Sequence, residues 1–359
     1  MENNNKFILE TRLSALGIEF PFFIAPMVGL SHVAFRELIA SYTPKNIFAI
    51  KFTEMLSTRR IPNEKLETTN ELKVALGEKY YIPQLLGNEE RYLAPSILKL
   101  LEQDPWGFDI NMGCTVAHTL KHNWGVRLMG DEKYASDVVK IVKKFSTKPV
   151  SVKLRGGISE NETFERLLSF TSSLENAGAN FITIHARTKE QKHSGDANWS
   201  LVSDIRRKLS IPVVANGNIQ TAQDAVSVLK NYEVDGVMIA RAATARPWIL
   251  WQISELLGYG QTPIGYEGKK APQSPEEEGA EYAQACLRFI KILTQYFDDE
   301  SYILEKFRFF VATGARWFLF GHHFWKISMK SKSVTELYNN VLEFSHNCNN
   351  TMTQHIKMF

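Results

Sequence analysis

An asparagine and a cysteine at the end of an apolar run are the side chains in this sequence best placed to do chemistry. They belong to Phe108-Asp109-Ile110-Asn111-Met112-Gly113-Cys114-Thr115. The run reads as a short buried β-strand that ends in a polar residue, a glycine turn and a thiol. There a thiol can face a ligand while the strand beneath holds its backbone still. The plainer alternative is a small buried cysteine that fills space; the run by itself favours that reading, and the rest of the chain reverses it.

Other stretches end in the same way. Lys153 stands in Ser151-Val152-Lys153-Leu154-Arg155-Gly156-Gly157. A lysine at the end of a buried strand is costly unless it meets an anion. It can form a Schiff base, face the negative charge of a reduced flavin, or simply pair with a rim acid such as Glu54. His185 heads His185-Ala186-Arg187-Thr188, where the imidazole can donate to a phosphate or a pyrimidine and Arg187 can recognise a carbonyl-rich base. Asn216-Gly217-Asn218-Ile219 and Ala240-Arg241-Ala242-Ala243 supply small residues that let backbone N–H groups approach a phosphate, and Arg241 adds charge. No cluster has metal-ligand spacing, so no metal is expected. There is no Ser-His-Asp signature.

These stretches need a scaffold that brings strand ends together. Between residues 20 and 245, short β-rich runs alternate with helical segments. The runs cover 22–26, 47–52, 80–86, 108–112, 149–154, 180–186, 211–215 and 236–240. Apolar, β-branched and unalternating, they suit strands covered on both faces. Leu93-Ile97-Leu100, Val138-Val139-Val142 and Leu167-Phe170-Leu174 carry helical spacing between them. Strand–helix alternation implies parallel βαβ units, and eight of them imply an α/β fold of the closed (β/α)₈ TIM-barrel type. A doubly wound sheet competes, but no G-x-G-x-x-G follows the first strand. In such a barrel chemistry lies at the C-terminal strand ends, here Met27, Glu54, Gln84, Asn111, Lys153, His185, Asn216 and Arg241.

The rest of the chain divides accordingly: a barrel over 1–257, a Gly- and Pro-rich linker over 258–279, and a small all-α C-terminal domain over 280–359. Within 302–332, Lys306, Arg308, Arg316, Lys326, Lys330 and Lys332 face one acid, Glu305. Phe307, Phe309, Phe310, Trp317, Phe318, Phe320, Phe324 and Trp325 are interleaved with them. Cations for phosphates and rings for unstacked bases suit RNA. A helical bundle with an aromatic core and solvated cations is the other reading. Over all 359 residues, Lys+Arg 42 against Asp+Glu 39 leaves a net charge of +3, too little to name a partner. Cys114, Cys286 and Cys348 are far apart, which argues against a disulfide framework and fits a reducing cytoplasm. The start is polar with no signal-peptide core, and no apolar run reaches the roughly 18 residues that span a membrane.

With these residues assembled, the sequence resembles the tRNA-dihydrouridine synthase family. The matching runs are Ala25-Pro26-Met27-Val28-Gly29, Glu54-Met55, Gln84-Leu85-Leu86-Gly87, Asn111-Met112-Gly113-Cys114, Val152-Lys153-Leu154-Arg155, His185-Ala186-Arg187-Thr188, Ala215-Asn216-Gly217-Asn218-Ile219 and Ala240-Arg241, in family order. The C-terminal region resembles the family's tRNA-binding domain more weakly. The resemblance implies FMN as cofactor and NADPH (or NADH) as reductant, with tRNA as partner. The activity it implies is reduction of the C5=C6 bond of uridine. It places the catalytic cysteine on Cys114. Flavin contacts fall on Pro26, Met27, Val28, Gln84, Lys153, His185, Asn216, Gly217, Asn218, Ala240 and Arg241, and uracil contacts on Asn111 and Arg187. A monomer is the working expectation, with oligomeric state otherwise open. Several positions depart from the family pattern: Thr115 for a proline, Ala117-His118 for a basic pair, Asn123-Trp124-Gly125 for a small turn, Ala240 and Ala242 for glycines, and Asn218 for an aspartate. A flavin barrel acting on a free small molecule, like a dihydroorotate dehydrogenase, and a non-catalytic RNA-binding relative are the alternatives.

Overall fold

The computed structural model describes residues 11–192, 194–319, 321–347 and 351–357. The polar N-terminal start, Phe320 and Cys348, each weighed above, lie outside the described residues. Among the described residues eight parallel strands close into one barrel in sequence order, β1 pairing with β8. They are β1 Phe22–Ile24, β2 Lys51–Ser57, β3 Tyr81–Leu86, β4 Phe108–Met112, β5 Val150–Arg155, β6 Phe181–His185, β7 Val213–Asn216 and β8 Gly236–Ile239. Helices α1 Val33–Ser41, α2 Glu90–Leu101, α3 Ala117–Lys121, α4 Glu132–Phe145, α5 Phe164–Asn176, α6 Trp199–Lys208, α7 Ala222–Asn231, α8 Ala242–Ala245 and α9 Ile249–Leu256 wrap it. The connection between β2 and β3 holds only a 3₁₀ turn, Ile61–Asn63, where the repeat calls for a helix.

The apolar run at 47–52 predicted the second strand four residues too early. Ile47, Ala49 and Ile50 are buried, but as an extended lead-in to the ladder. A register shift between Phe52 and Met55 then re-aims the strand. Thr53 lies in that shift, and its Oγ1 accepts from the Gln84 amide at 3.1 Å. Glu54 therefore lies inside β2, not beyond its end.

Strand geometry explains how this scaffold points polar groups inward. Side chains two residues apart share a face. Phe23, Phe52, Ile82, Phe181, Val214 and Met238 form a core inside the barrel, sealed below by Leu13 of a 3₁₀ turn, while Phe22, Ile24 and Ile182 join the outer core under the helices. Two residues further along each strand stand Gln84, Thr183 and Asn216, and two beyond Thr183 stands His185. The inner face changes from apolar to polar as the strands rise.

Among the described residues four helices follow the barrel: α10 Pro275–Tyr296, α11 Glu300–Gly314, α12 Gly321–Lys330 and α13 Val334–Asn347. A Ser274 capping box with Glu277 and Pro275 at its first position start α10. Phe307, Phe310, Trp317, Phe318 and Phe324 are buried in the bundle, whereas Phe309 is not. Phe289 and Phe310 have ring centroids 4.6 Å apart. Of the cations in 302–332, Lys306 lies over the Tyr302 ring, and Arg308 donates to the Ser328 and Ser331 carbonyls. Arg316, Lys326, Lys330 and Lys332 are exposed.

Candidate active site

At the C-terminal mouth, β3, β4 and β5 carry a polarised chain of hydrogen bonds. Asp109, fully buried, sits opposite Ser151 in the ladder and accepts from its Oγ at 2.6 Å. Gln84 Nε2 donates to the other Asp109 oxygen at 2.6 Å. That fixes Gln84 Oε1 as an acceptor, and Asn111 Nδ2 donates to it at 2.7 Å. Asn111 Oδ1 is then left to accept from the backbone N–H groups of Gly113 (3.2 Å) and Cys114 (2.9 Å). An acceptor at the base of the chain sets the direction of both amides above it and so the backbone beneath the thiol. Gln84 and Asn111 hold the cysteine loop. Asp109 was not among the site residues expected from the sequence. An acid two residues before Asn111, inside an apolar strand, was the available signal.

Lys153 lies directly opposite Asn111. Its burial pulls the ammonium down to about 8; Arg155 adds to the effect, and the proximity of Asp109 and Cys114 opposes it. Cys114 is half-buried. The thiol and the ammonium, from neighbouring strands, therefore share one rim. Burial raises Asp109 to about 7 against its hydrogen bonds from Ser151 and Gln84. The folded protein thus holds a proton at Asp109 between about pH 4 and about 7 that the unfolded chain has lost. Stability from this group falls as pH rises through that window. Asp109→Asn removes the titration, so the wild-type unfolding midpoint should fall relative to the variant's between pH 4 and 7. Parallel profiles would contradict this assignment.

Beside this rim a cavity of about 410 Å³ opens. Met27, Val28, Lys153, His185, Arg187, Asn216, Gly217, Asn218, Ala240 and Arg241, all expected from the sequence, line it. Pro26, Gln84, Asn111 and Cys114 lie outside its wall. Several of the lining residues have their polar groups engaged, Arg155 among them, which donates to the carbonyls of Gly113, Thr188 and Lys192. Asn216 Nδ2 donates to the Met238 carbonyl at 2.8 Å. Arg187 donates from Nε and Nη2 to the carbonyls of Ser194 and Gly195, and from Nη2 to Asn218 Oδ1. Its Nη1 stands 3.5 Å from where a Cβ on Gly217 would be. Glu54 does not pair with Lys153. Its Oε2 accepts from Gly29 N–H at 2.9 Å, and burial raises its carboxyl pKa.

The cavity suits an anion. Lys153, Arg155, Arg187 and Arg241 all line it. Burial lowers Arg241's affinity for its proton, and Arg316 and Arg187 nearby lower it further. Gly217 has φ +117°, and a Cβ there would stand 3.0 Å from the His185 ring, so the turn after β7 leaves backbone facing the cavity. Sequence reasoning also missed Phe309 and Thr313, which line the cavity from α11.

The loop after Cys114 departs most from the family pattern, and it is well anchored. Val126 N–H donates to the Cys114 carbonyl at 3.0 Å. A Cβ on Gly125, at φ +61°, would stand 2.6 Å from the same oxygen, so glycine is required there. Trp124 is buried, its indole N–H donating to Asn88 Oδ1 at 2.9 Å. Arg59 stacks over Trp124 and Tyr92, pairs with Glu89 at 2.7 Å and contacts His122 Nδ1 at 3.1 Å. Exposed His118, Lys121 and Arg127 complete a cationic surface beside the thiol. Among the described residues no group of three or more His, Cys, Asp or Glu side chains could hold a metal ion. No helix among them is long and apolar enough to cross a membrane.

Residues 23–316 match the family model described as Dihydrouridine synthase (Dus). The chain is 32% identical over 225 residues to the probable tRNA-dihydrouridine synthase of Rhizobium leguminosarum bv. phaseoli, across 63% of this chain and 69% of that protein. It is 31% identical over 254 residues to the probable tRNA-dihydrouridine synthase 1 of Synechocystis sp., across 70% and 68%. Among solved structures, histamine dehydrogenase from Rhizobium sp. 4-9 superposes with a TM-score of 0.52 at 13% identity, covering 81% of this chain and 51% of that one. That likeness is one of fold.

Proposed function

The chain belongs to the dihydrouridine synthase family, and on that premise we propose how its residues share the work of a flavin-dependent tRNA-dihydrouridine synthase. The observation that carries this reading is a thiol in the loop just after β4 and an ammonium on neighbouring β5, beside a cationic cavity at the barrel mouth. The cavity fits an anionic, phosphorylated cofactor, and we assign it to FMN. His185, Asn216–Asn218, Ala240 and Arg241 would hold its phosphate end, and Met27, Val28 and Lys153 its ring. Pro26 and Gln84, also given to the flavin by the resemblance, lie outside that wall. When bound, the flavin supplies the hydride that adds to C6 of uracil, and NADPH (or NADH) replenishes it.

The chain's own residues do the rest. Cys114 carries a proton on Sγ and releases it to C5, so the saturated ring gains one hydride and one proton. A positioned proton donor of this kind acts as a general acid, and solvent reprotonates the thiolate. Asn111 fixes the backbone under that sulfur, and Arg187 Nη1 is the donor left for a uracil carbonyl. A base stacked in an RNA helix cannot reach this recess, so the target nucleotide must be unstacked and flipped out. The cationic surface around His118, Lys121 and Arg127, together with the exposed cations of the helical region, serves the RNA phosphates. We read 258–279 as the linker and 280–359 as the tRNA-binding part.

Lys153 is the group through which this reading is tested. Lys153→Met should weaken FMN binding roughly 10- to 100-fold, the range for losing one charged hydrogen bond. Above about pH 8, where the wild-type ammonium is lost, wild-type affinity should fall towards that of the variant. The purified protein should bind FMN and form dihydrouridine in tRNA with NADPH. A protein that binds no flavin, or whose flavin NADPH reduces but tRNA does not reoxidise, would refute the proposal.

A further inference from the structure

Helix α11 is held across the barrel mouth at two points. Near its middle, Phe309 rests on Gly29 in the loop after β1. Gly29 has φ +75°, and a Cβ there would stand 2.9 Å from the Phe309 ring. The Gly29 amide is in turn fixed by Glu54. At the helix end, Gly314 presses on α8, next to Arg241. A Cβ on Gly314 would stand 2.4 Å from the Thr244 carbonyl oxygen. Between these anchors, Phe309 and Thr313, one helical turn apart, share a face and line the same cavity as Lys153 and Arg241. Phe307 and Phe310 are fully buried in the bundle, yet Phe309 is 45% exposed. Its ring stands at the cavity, against a loop that already contributes Met27 and Val28 to the wall.

We infer that the helical region supplies one wall of the cofactor cavity, with Phe309 as the ring that covers the bound flavin. Cofactor affinity therefore depends on a residue outside the barrel. The bundle that would carry the RNA also closes the flavin site. The inference rests on the cavity being the FMN site. The other occupant to which the ring could be turned is a base of the RNA.

Titrating FMN into the flavin-stripped full-length protein, followed by quenching of flavin fluorescence, separates the two. Phe309→Ala and the milder Phe309→Leu should raise the Kd for FMN, the former roughly 5- to 10-fold, as expected for uncovering about half a phenylalanine side chain. Phe309→Tyr, which keeps the ring, should restore it. The KM for tRNA should stay at its wild-type value, and Phe309→Tyr, which keeps the ring on Gly29, should keep the wild-type unfolding midpoint of the flavin-free protein. A raised KM for tRNA with unchanged FMN affinity would place the ring on the RNA and overturn the inference, and so would no change in either. Lys153→Met is the companion control. If it weakens FMN and Phe309→Ala does not, only this inference fails. If neither weakens FMN, the assignment of the cavity fails with it.

Discussion

Replacing Cys114 with alanine should lower dihydrouridine formation by roughly 10²- to 10⁴-fold, the range for losing a positioned general acid. FMN affinity and reduction by NADPH should survive. The separation follows from the geometry. Cys114 is not among the residues that line the cavity, and in the proposed mechanism its side chain serves the substrate's proton, not cofactor binding. Its backbone is held by Asn111 Oδ1 and by Val126 N–H, neither of which depends on the sulfur. Alanine should therefore leave the loop in place. The assay is single-turnover reoxidation of the reduced flavin by tRNA, compared with reduction by NADPH in the same sample. Wild-type reoxidation by the alanine variant would remove the thiol from the mechanism.

The second large effect concerns stability. Arg246, just after α8, and Glu278, in α10, form a fully buried two-pronged pair at 2.7 and 2.9 Å. Arg246 also donates to the carbonyls of Gln220 and Thr353, and Gln252 and Gln354 donate to Glu278. One cluster thus ties the barrel, the helical region and the C-terminal segment together. Glu278→Ala would strand a guanidinium with no anion in the interior, and we expect a loss of about 3–5 kcal/mol. Denaturant unfolding of the full chain measures it. Replacing both partners by apolar residues, Arg246→Met with Glu278→Leu, should cost less than Glu278→Ala alone, because no buried charge remains. A double variant less stable than the single one would show that the hydrogen bonds to the glutamines and carbonyls outweigh the desolvation of the pair.

Much of this molecule is legible along the chain because its signals are local. A buried parallel strand announces itself by a short apolar run, a strand end by the polar or glycine residue that stops it, and eight repeats leave little choice but a closed barrel. For the same reason ten of the sixteen cavity-lining residues are legible from sequence. Period-two spacing carries each of them inward: Ser151 and Lys153, Thr183 and His185, Val214 and Asn216. The errors occurred where local signals compete. Ile47, Ala49 and Ile50 are buried just ahead of β2, so an apolar run alone places that strand too early. Glu54, one of the partners the sequence offers Lys153, lies inside β2, and its oxygen accepts from the Gly29 amide instead.

The sequence by itself determined the barrel, the order of its strands and the identity of the thiol, the ammonium and the phosphate-type turns, since each follows from the pattern within a few residues. Tertiary structure alone decided that Asp109 directs the amides beneath Cys114, that Arg246 finds Glu278, and that Phe309 and Thr313 of a distant helix complete the cavity. Those contacts join segments far apart in the chain. Helical periodicity says that a face is amphipathic, but only packing against a particular neighbour determines what that face meets.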